Sequence, residues 1–171
     1  TLNSRWIRQS VFANATIGFK EMIYLDLAGR NEWSSTLALT GNESYFYPMV
    51  GLSAVISEMI SLPEVMSFAK LRASYTTTAR EVPYNVIYPA NTPNGTTGSI
   101  SFNTRMPFLD AKPELVKSAE FGANLRFFDD NLGLDFTYYD IVSTDQFVSL
   151  PAPSGSGFTE QLVNAGKITN K

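Results

Sequence analysis

Hydrophobic and polar residues alternate strictly along two neighbouring stretches, residues 119–127 and 132–138. In each stretch every second residue is apolar or small. A period of two predicts β-strands with one apolar and one polar face. A two-residue loop at 130–131 would place Phe127 opposite Leu134, so that the apolar rows of both strands share a face. The stretch therefore predicts a long hairpin with a short turn.

A second hairpin is expected near the start of the chain, where residues 6–19 and 23–33 alternate in the same way. A three-residue loop at 20–22 pairs Phe19 with Ile23, and the apolar rows coincide again. The same pattern predicts further strands at 45–56 and 68–78, and a seventh strand that begins within 162–169.

The predicted connections alternate in length along the chain. Long connections at 34–44, 79–113 and 143–161 alternate with shorter ones at 20–22, 58–66 and 130–131. Because successive turns of a meander fall at opposite ends of a sheet, the long loops share one end. Transmembrane β-barrels of the bacterial outer membrane have this asymmetry. We therefore predict an all-β antiparallel meander over residues 1–171 that is a segment of a large transmembrane β-barrel, with its apolar rows facing lipid.

Composition excludes several kinds of chemistry. The 171 residues include no cysteine and no histidine, which removes disulfides, thiolate nucleophiles and a Ser-His-Asp triad. The net charge of −3 gives no basic surface for nucleic acid. Asp129 and Asp130 lack the spaced oxygen ligands of a calcium loop. We expect no enzymatic activity, no cofactor, no bound metal and no nucleic-acid partner.

The alternation also defines two sets of side chains. Charged residues occupy the polar rows, where they either contact a solute or an internal domain or form a solvated face of paired charges: Asp26, Arg30, Glu32, Lys70, Arg72, Glu120, Arg126 and Asp135. Aromatic residues near the strand ends fit the girdles of a membrane barrel, although a sandwich core accepts aromatic residues equally well: Phe19, Trp33, Phe127, Tyr138 and Tyr139.

The longest predicted loop, 79–113, carries the candidate binding residues. Tyrosine and asparagine side chains suit stacking on sugars and hydrogen bonding to them, while the simpler interpretation is an ordinary polar loop. The predicted substrate-contact residues are Tyr84, Tyr88, Asn91, Asn94 and Asn103.

Four segments, in order along the chain, resemble the patterns of one known family. Residues 24–35 resemble its "Y…A..R.D.SS" strand, and residues 45–53 with 57–58 resemble its "FPS.S..W…SE" segment. Residues 71–75 resemble its "LR.SY" strand. Residues 112–115, with Glu120, Gly122 and 136–139, resemble its "NP.L…..E.G.D…….D.YY" hairpin. These segments are similar to the SusC/RagA family of TonB-dependent outer-membrane transporters. The sequence departs from the family at 77–81, where "G..GN" is usual, and at Met49, where serine is common.

The resemblance implies a barrel of roughly 22 strands that encloses a plug domain, in the outer membrane of a Gram-negative bacterium. This chain would supply six full strands and the start of a seventh, without the plug. The resemblance further implies energy from TonB, contact with outer-membrane lipid, a SusD-like lipoprotein lid, and import of a polar nutrient such as an oligosaccharide or a peptide. The loop residues above are then candidate lid contacts as well.

Both chain ends are expected to be cuts through a larger protein. No signal peptide is visible, the strand pattern is under way by Trp6, and Lys171 lies in a strand-like stretch.

A soluble β-sandwich, acting as an adhesin-like module that binds carbohydrate or protein, is the alternative fold and function. In a sandwich the apolar rows of two sheets face each other, so Leu25, Leu125 and Phe136 would be sealed in a core. In a barrel segment they would stay uncovered.

Overall fold

The computed structural model describes residues 5–83 and 85–171, and almost all of its regular structure is antiparallel β. No helix in this part of the chain is long and apolar enough to cross a membrane. The strands are β1 (Arg8–Phe19), β2 (Ile23–Ser34), β3 (Ser44–Val55), β4 (Met66–Arg80), β5 (Thr92–Pro93), β6 (Ile100–Ser101), β7 (Glu114–Phe127), β8 (Leu132–Thr144), β9 (Phe147–Pro151), β10 (Glu160–Asn164) and β11 (Lys167–Asn170). A 3-10 turn at Ser35–Leu37 follows β2, and a single helical turn, α1 (Ile56–Met59), follows β3.

Seven of these strands form one sheet in the order β1-β2-β3-β4-β7-β8-β11, and every neighbouring pair is antiparallel. The spatial order follows the chain order, which is the meander expected from the sequence. The short strands form two separate hairpins, β5 with β6 and β9 with β10. The predicted all-β antiparallel fold class is confirmed.

The first hairpin has the predicted register. Phe19 lies opposite Ile23, and the loop between them is the three-residue loop 20–22. Lys20 and Glu21 adopt positive φ angles of 49° and 59°, and the Met22 N–H donates to the Phe19 carbonyl at 3.0 Å. These contacts close the tight turn that the alternation requires.

The second hairpin has a longer turn than predicted. Phe127 lies opposite Leu132 rather than Leu134, so the loop has four residues, 128–131, and the register is shifted by two. Groups at and just before the start of β4 hold this longer loop: the Val65 carbonyl accepts from the Phe128 N–H at 2.9 Å, and the Ser67 hydroxyl accepts from the Asp130 N–H at 3.2 Å. A shift of two preserves the side-chain faces, so the apolar rows still coincide.

The register gathers the apolar residues on one face of the sheet, which we call the apolar face. One row across six strands shows this: Ile17, Leu25, Leu52, Ala73, Phe121 and Tyr138 are successive partners. No second sheet covers this face within the described chain. Phe136 is 63% exposed, and Leu25 and Leu125 are only partly buried. The sandwich arrangement, which requires a sealed core at these positions, is therefore not favoured.

The predicted seventh strand starts later than expected. Leu162 to Asn164 belong to β10 and pair with β9, while β11 begins only at Lys167. The chain turns between these strands, because Gly166 adopts a φ of 103° and the Ala165 N–H donates to the Gln146 carbonyl at 2.9 Å. The stretch 79–113, predicted as a loop, thus contains the hairpin of β5 and β6, and the predicted loop 143–161 contains β9 and the start of β10.

The loops at the end of the sheet opposite the short turns pack into a small folded unit, which we call the loop cap. It comprises residues 35–43, 81–83, 85–113 and 145–166. Its core consists of Leu37, Val82, Val86, Ile87 and Ala111, all at most 5% exposed, with Tyr45, Phe108, Phe147 and Leu162 packed around them. Ala69 is the only other buried hydrophobic residue in the described chain. The cap, not the sheet, therefore holds the compact core.

Candidate functional site

The face opposite the apolar face, which we call the polar face, carries all eight charged residues assigned to the polar rows. Across the strands, Thr16, Asp26, Gly51, Ser74, Glu120 and Tyr139 form one row of partners, and Arg72 lies beside Gly122 and Thr137 in the next. A groove of about 530 Å³ runs over the middle of this face and is lined by Asp26, Lys70, Arg72, Glu120, Asn124 and Arg126 among others. This groove can accept polar groups of either charge.

Tyr139 is the exception to the girdle prediction. It pairs with Glu120 and so lies on the polar face, whereas Phe19, Trp33, Phe127 and Tyr138 lie on the apolar face. The assignment of Tyr139 to an apolar girdle is therefore wrong, because the odd-numbered residues of β8 point to the polar side.

Arg72 organises the centre of the polar face. Its Nη2 lies 2.8 Å from Asp135 Oδ1 and donates to Thr137 Oγ1 at 2.6 Å, while Nη1 donates to Asp135 Oδ2 at 3.3 Å. Asn124 Nδ2 donates to the same carboxylate at 3.0 Å. The arginine reaches from β4 to β8 across β7, and it can do so because β7 presents Gly122 beneath it. A fork of this kind fixes three strands together.

A second charged cluster lies where the polar face meets the loop cap. Glu32 is only 4% exposed, and its carboxylate lies 2.8 Å from Arg30 Nη2 and 3.5 Å from Arg8 Nε. The Tyr45 hydroxyl donates to it at 3.4 Å. A buried carboxylate needs such partners. Arg8 also bonds Glu81, so the cluster ties β1 to the cap.

Within the cap, Glu160 connects three segments. Its N–H and that of Thr159 both donate to the Thr104 carbonyl, and its own carbonyl accepts from the Met106 N–H at 2.8 Å. Its Oε1 accepts from Ser149 Oγ at 2.6 Å and lies 3.5 Å from Arg105 Nη2. The Ser149 hydrogen bond, with a smaller contribution from the Arg105 guanidinium, lowers the pKa of Glu160 from its usual value.

The predicted loop residues are divided among different places in the cap. Tyr84 lies outside the described residues. Tyr88 is 54% exposed and borders a hollow of about 220 Å³ beside Trp6. Asn91 and Asn103 are brought together, because Asn91 Oδ1 accepts from the Asn103 N–H at 2.8 Å.

The asparagine side chains are engaged with the loop's own backbone. Asn103 Oδ1 accepts from the Arg105 N–H at 3.0 Å. Asn94 Oδ1 accepts from the N–H groups of Thr96 and Thr97 at 3.0 and 3.2 Å, which caps the turn between β5 and β6. Such local bonds shape a loop.

Sequence reasoning missed the side chains that hold the cap together. Asn164 Nδ2 donates to the carbonyls of Lys112 and Asp145, and its Oδ1 accepts from the Lys112 N–H at 2.8 Å. Asn42 Nδ2 donates to the Ala111 carbonyl at 3.2 Å. These contacts join residues up to 69 positions apart, and no local sequence pattern predicts them. Among the described residues no group of three or more acidic, histidine or cysteine side chains is placed to bind a metal.

Two curated relatives are similar to almost the whole chain. The TonB-dependent receptor P26 of Formosa agariphila is 28% identical over 172 residues, and the TonB-dependent receptor P3 of the same organism is 25% identical over 170 residues. Each alignment covers 95% of this chain but 17% of the relative. The chain thus spans about a sixth of the length of these relatives.

Solved structures support the same relationship. The structure of the RagAB peptide importer in the "open-open" state aligns with a TM-score of 0.82 at 26% identity, over 96% of this chain and 18% of the importer chain. The structure of the RagAB peptide transporter aligns with a TM-score of 0.78 at 24% identity, over 96% of this chain and 19% of the other, and shows the fold alone. The family model described as "TonB dependent receptor-like, beta-barrel" matches residues 3–171. This chain therefore belongs to the TonB-dependent receptor β-barrel family, as a SusC/RagA-like barrel segment.

Proposed function

We propose that the chain is part of the wall of an outer-membrane importer, with the apolar face against lipid and the polar face lining the lumen. The observation that carries this proposal is the uncovered apolar face backed by an ion-paired polar face. A soluble protein rarely leaves so large an apolar surface open. In a barrel of roughly 22 strands the seven sheet strands would form about a third of the wall.

The height of the apolar face agrees with a membrane span. On β2 the outward row runs from Ile23 to the first polar residue, Asn31, and on β7 it runs from Phe127 to Lys117. Eight to ten residues at about 3.3 Å each, tilted by about 45°, span about 19–23 Å, close to the apolar band of about 25 Å in outer-membrane barrels.

The polar face suits the inside of a plugged barrel. We propose that its groove contacts the plug domain of the complete transporter, because the lining mixes the cations Lys70, Arg72 and Arg126 with the anions Asp26 and Glu120. A mixed-charge surface supports an interface that must hold and release a polar partner.

The loop cap would face the outside of the cell, because the long loops of outer-membrane barrels lie there. We propose that it contacts a SusD-like lipoprotein and a polar nutrient, an oligosaccharide or a peptide, whose import uses energy delivered by TonB. The similarity to the RagAB peptide importer supports a partnered import role. In this role the barrel wall performs no catalysis.

We propose that the predicted loop residues act in two ways at that contact. Tyr88 is the exposed contact, while Asn91, Asn94 and Asn103 hold the loop in shape. Tyr84 stays a predicted contact. Replacing Tyr88 with alanine should reduce nutrient uptake or lid binding by the complete transporter without changing the yield of folded barrel.

Site-directed spin labelling of the complete transporter in lipid vesicles tests the orientation of the sheet. Labels at Phe136 and Thr137 differ by one residue on β8 and lie on opposite faces. The label at Phe136 should collide mainly with dissolved oxygen, which concentrates in hydrocarbon, and that at Thr137 mainly with a water-soluble nickel complex. Equal nickel accessibility at both sites, or the reverse order, would refute the proposed orientation.

A further inference from the structure

Three lysines lie on the apolar side of the sheet, toward the end that carries the loop cap, and two of them, Lys117 and Lys167, lie where the apolar band ends. Lys117 pairs with Val142, and Lys167 pairs with Thr144, so both share the face of Phe121 and Tyr138. Lys171 reaches the same face, because its Nζ lies 3.7 Å from the Asp140 carboxylate. All three lysines are exposed.

These three lysines are confined to one part of the sheet. Thr77, the β4 partner of Lys117, is uncharged, and so are Gln9 and Asn31, which lie on the same face near the cap ends of β1 and β2. The positive charge is therefore concentrated on β7, on β11 and on Lys171, which follows β11.

Spacing allows the lysines to act on one small anion. Lys117 and Thr169 both neighbour Val142, so they are two strand spacings apart, and Lys167 lies two residues from Thr169 along β11. With strands about 4.8 Å apart and a rise of about 3.3 Å per residue, the Cα atoms of Lys117 and Lys167 are about 12 Å apart. Two lysine side chains can close that distance over a group that bears several oxygen atoms.

The Asp140 carboxylate does not neutralise Lys117 or Lys167. It forms an ion pair with Lys171, and neither Lys117 nor Lys167 has an acidic partner within 4.0 Å in the described chain. Two positive charges remain free. On the same face, beyond the row formed by Ala119 and Asp140, the aromatic rings of Phe121 and Tyr138 occupy paired positions, and each is 49% exposed.

We propose that Lys117 and Lys167 bind the phosphorylated headgroup of an outer-leaflet lipid, whose acyl chains lie against Phe121 and Tyr138. This inference rests on the proposed orientation of the sheet in the membrane. An exposed lysine is a strong point-charge ligand for phosphate, and basic residues beside an anionic membrane surface contribute individually to binding. The aromatic rings below supply the apolar half of an amphipathic site.

Native mass spectrometry of the complete transporter tests the proposal. The transporter is titrated with diphosphorylated lipid A in detergent, and the detergent is removed in the spectrometer. The wild-type protein should retain the diphosphorylated lipid in preference to its dephosphorylated form. The double variant Lys117→Gln/Lys167→Gln should lose about 30-fold in affinity, from the contribution of two basic residues near an anionic surface. The charge-preserving variant Lys117→Arg/Lys167→Arg should bind like the wild type.

Lys20→Gln is the matched control, because Lys20 is an exposed cation in the turn 20–22, at the opposite end of the sheet. It should leave lipid retention unchanged, and excess inorganic phosphate should not displace the lipid. Four outcomes would each overturn the proposal. The glutamine double variant could retain the lipid as well as the wild type does, or the wild type could show no preference for phosphate-bearing lipid. Lys20→Gln could lose as much affinity as the double variant, or inorganic phosphate could displace the lipid fully. The spin-label contrast between Phe136 and Thr137 would persist in those cases, which separates this failure from failure of the proposed orientation.

Discussion

Replacement of Gly122 by alanine tests how the polar face is built. Arg72 lies directly over this glycine, and a Cβ placed there would lie 2.9 Å from Arg72 Cγ and 3.0 Å from Cζ. The guanidinium would have to leave its place, and with it the contacts to Asp135 and Thr137. The expected result is a loss of stability that depends on Arg72.

The size of this loss of stability depends on how exposed the Arg72 and Asp135 side chains are. The Arg72 and Asp135 side chains are 45% and 48% exposed, so solvent screening limits their ion pair to about 0.5–1 kcal/mol. The Thr137 hydrogen bond adds about 0.5–1 kcal/mol. Alanine is favoured over glycine within a strand by about 0.5–1 kcal/mol, which offsets part of this loss. We expect Gly122→Ala to cost about 0–1.5 kcal/mol.

A double-mutant cycle isolates the collision. In an Arg72→Ala background nothing blocks the new methyl group, so Gly122→Ala should be neutral or slightly stabilising, and the coupling energy should be about 1–2 kcal/mol. The matched control is Gly133→Ala, since Gly133 lies on the same face of β8 and its added Cβ would meet nothing within 4 Å. The control should not destabilise.

Urea titration of the complete transporter in detergent, followed by the gel-mobility difference between folded and unfolded barrel, measures these free energies of unfolding. A coupling energy near zero, or an equal loss in Gly133→Ala, would refute the account of Arg72 lying across Gly122. Raising the salt concentration should reduce the coupling energy, because the pair is exposed.

Three further outcomes are expected. Leu37→Ala should destabilise the loop cap by about 2–5 kcal/mol through the cavity it leaves. Amide hydrogen exchange should become faster in the cap but not in the turn at 20–22. Equal acceleration of exchange in both places would contradict a separate core in the cap. Gly29→Val should cost about 1–3 kcal/mol, because the Phe46 ring lies 2.8 Å from the position of the new Cβ, and a Phe46→Ala background should relieve that cost in urea titrations. Glu160 has a lowered pKa in the folded cap, so its contribution to stability is complete above its ordinary pKa of 4.5 and is lost as the pH falls through the lower folded pKa. The acid sensitivity of hydrogen exchange in the cap should therefore decrease in Glu160→Gln. An unchanged pH profile would count against the Ser149 hydrogen bond as the cause of the lowered pKa.

Side-chain parity is the property that the sequence predicts most securely. The alternation along β7 and β8 assigns Leu125 and Phe136 to one face and Asp135 to the other, and the structure agrees, although the turn between these strands is two residues longer than predicted. A change of two residues leaves every side chain on its face, so the hydrophobic pattern cannot detect it. Contacts from Val65, in a different turn, and from Ser67, at the start of β4, select the longer loop.

The ordered motifs likewise reveal the family without revealing what the motif residues do. Gly122 is visible as part of a recurring pattern, but its reason appears only when Arg72, fifty positions earlier, lies across it. Tyr139 could be assigned to a girdle by its position near a strand end, and the register then placed it beside Glu120.

By itself the sequence determined the period-two strands, their two faces and the grouping of short and long connections at opposite ends, because these depend on neighbours along the chain. Only the tertiary structure decided the composition of the loop cap and the late start of β11. The cap core joins Leu37 to Ala111, and Asn164 closes onto Lys112, across distances in sequence over which side-chain order carries no periodic signal. Packing and hydrogen-bond satisfaction among loops are settled only when the sheet has brought those loops together.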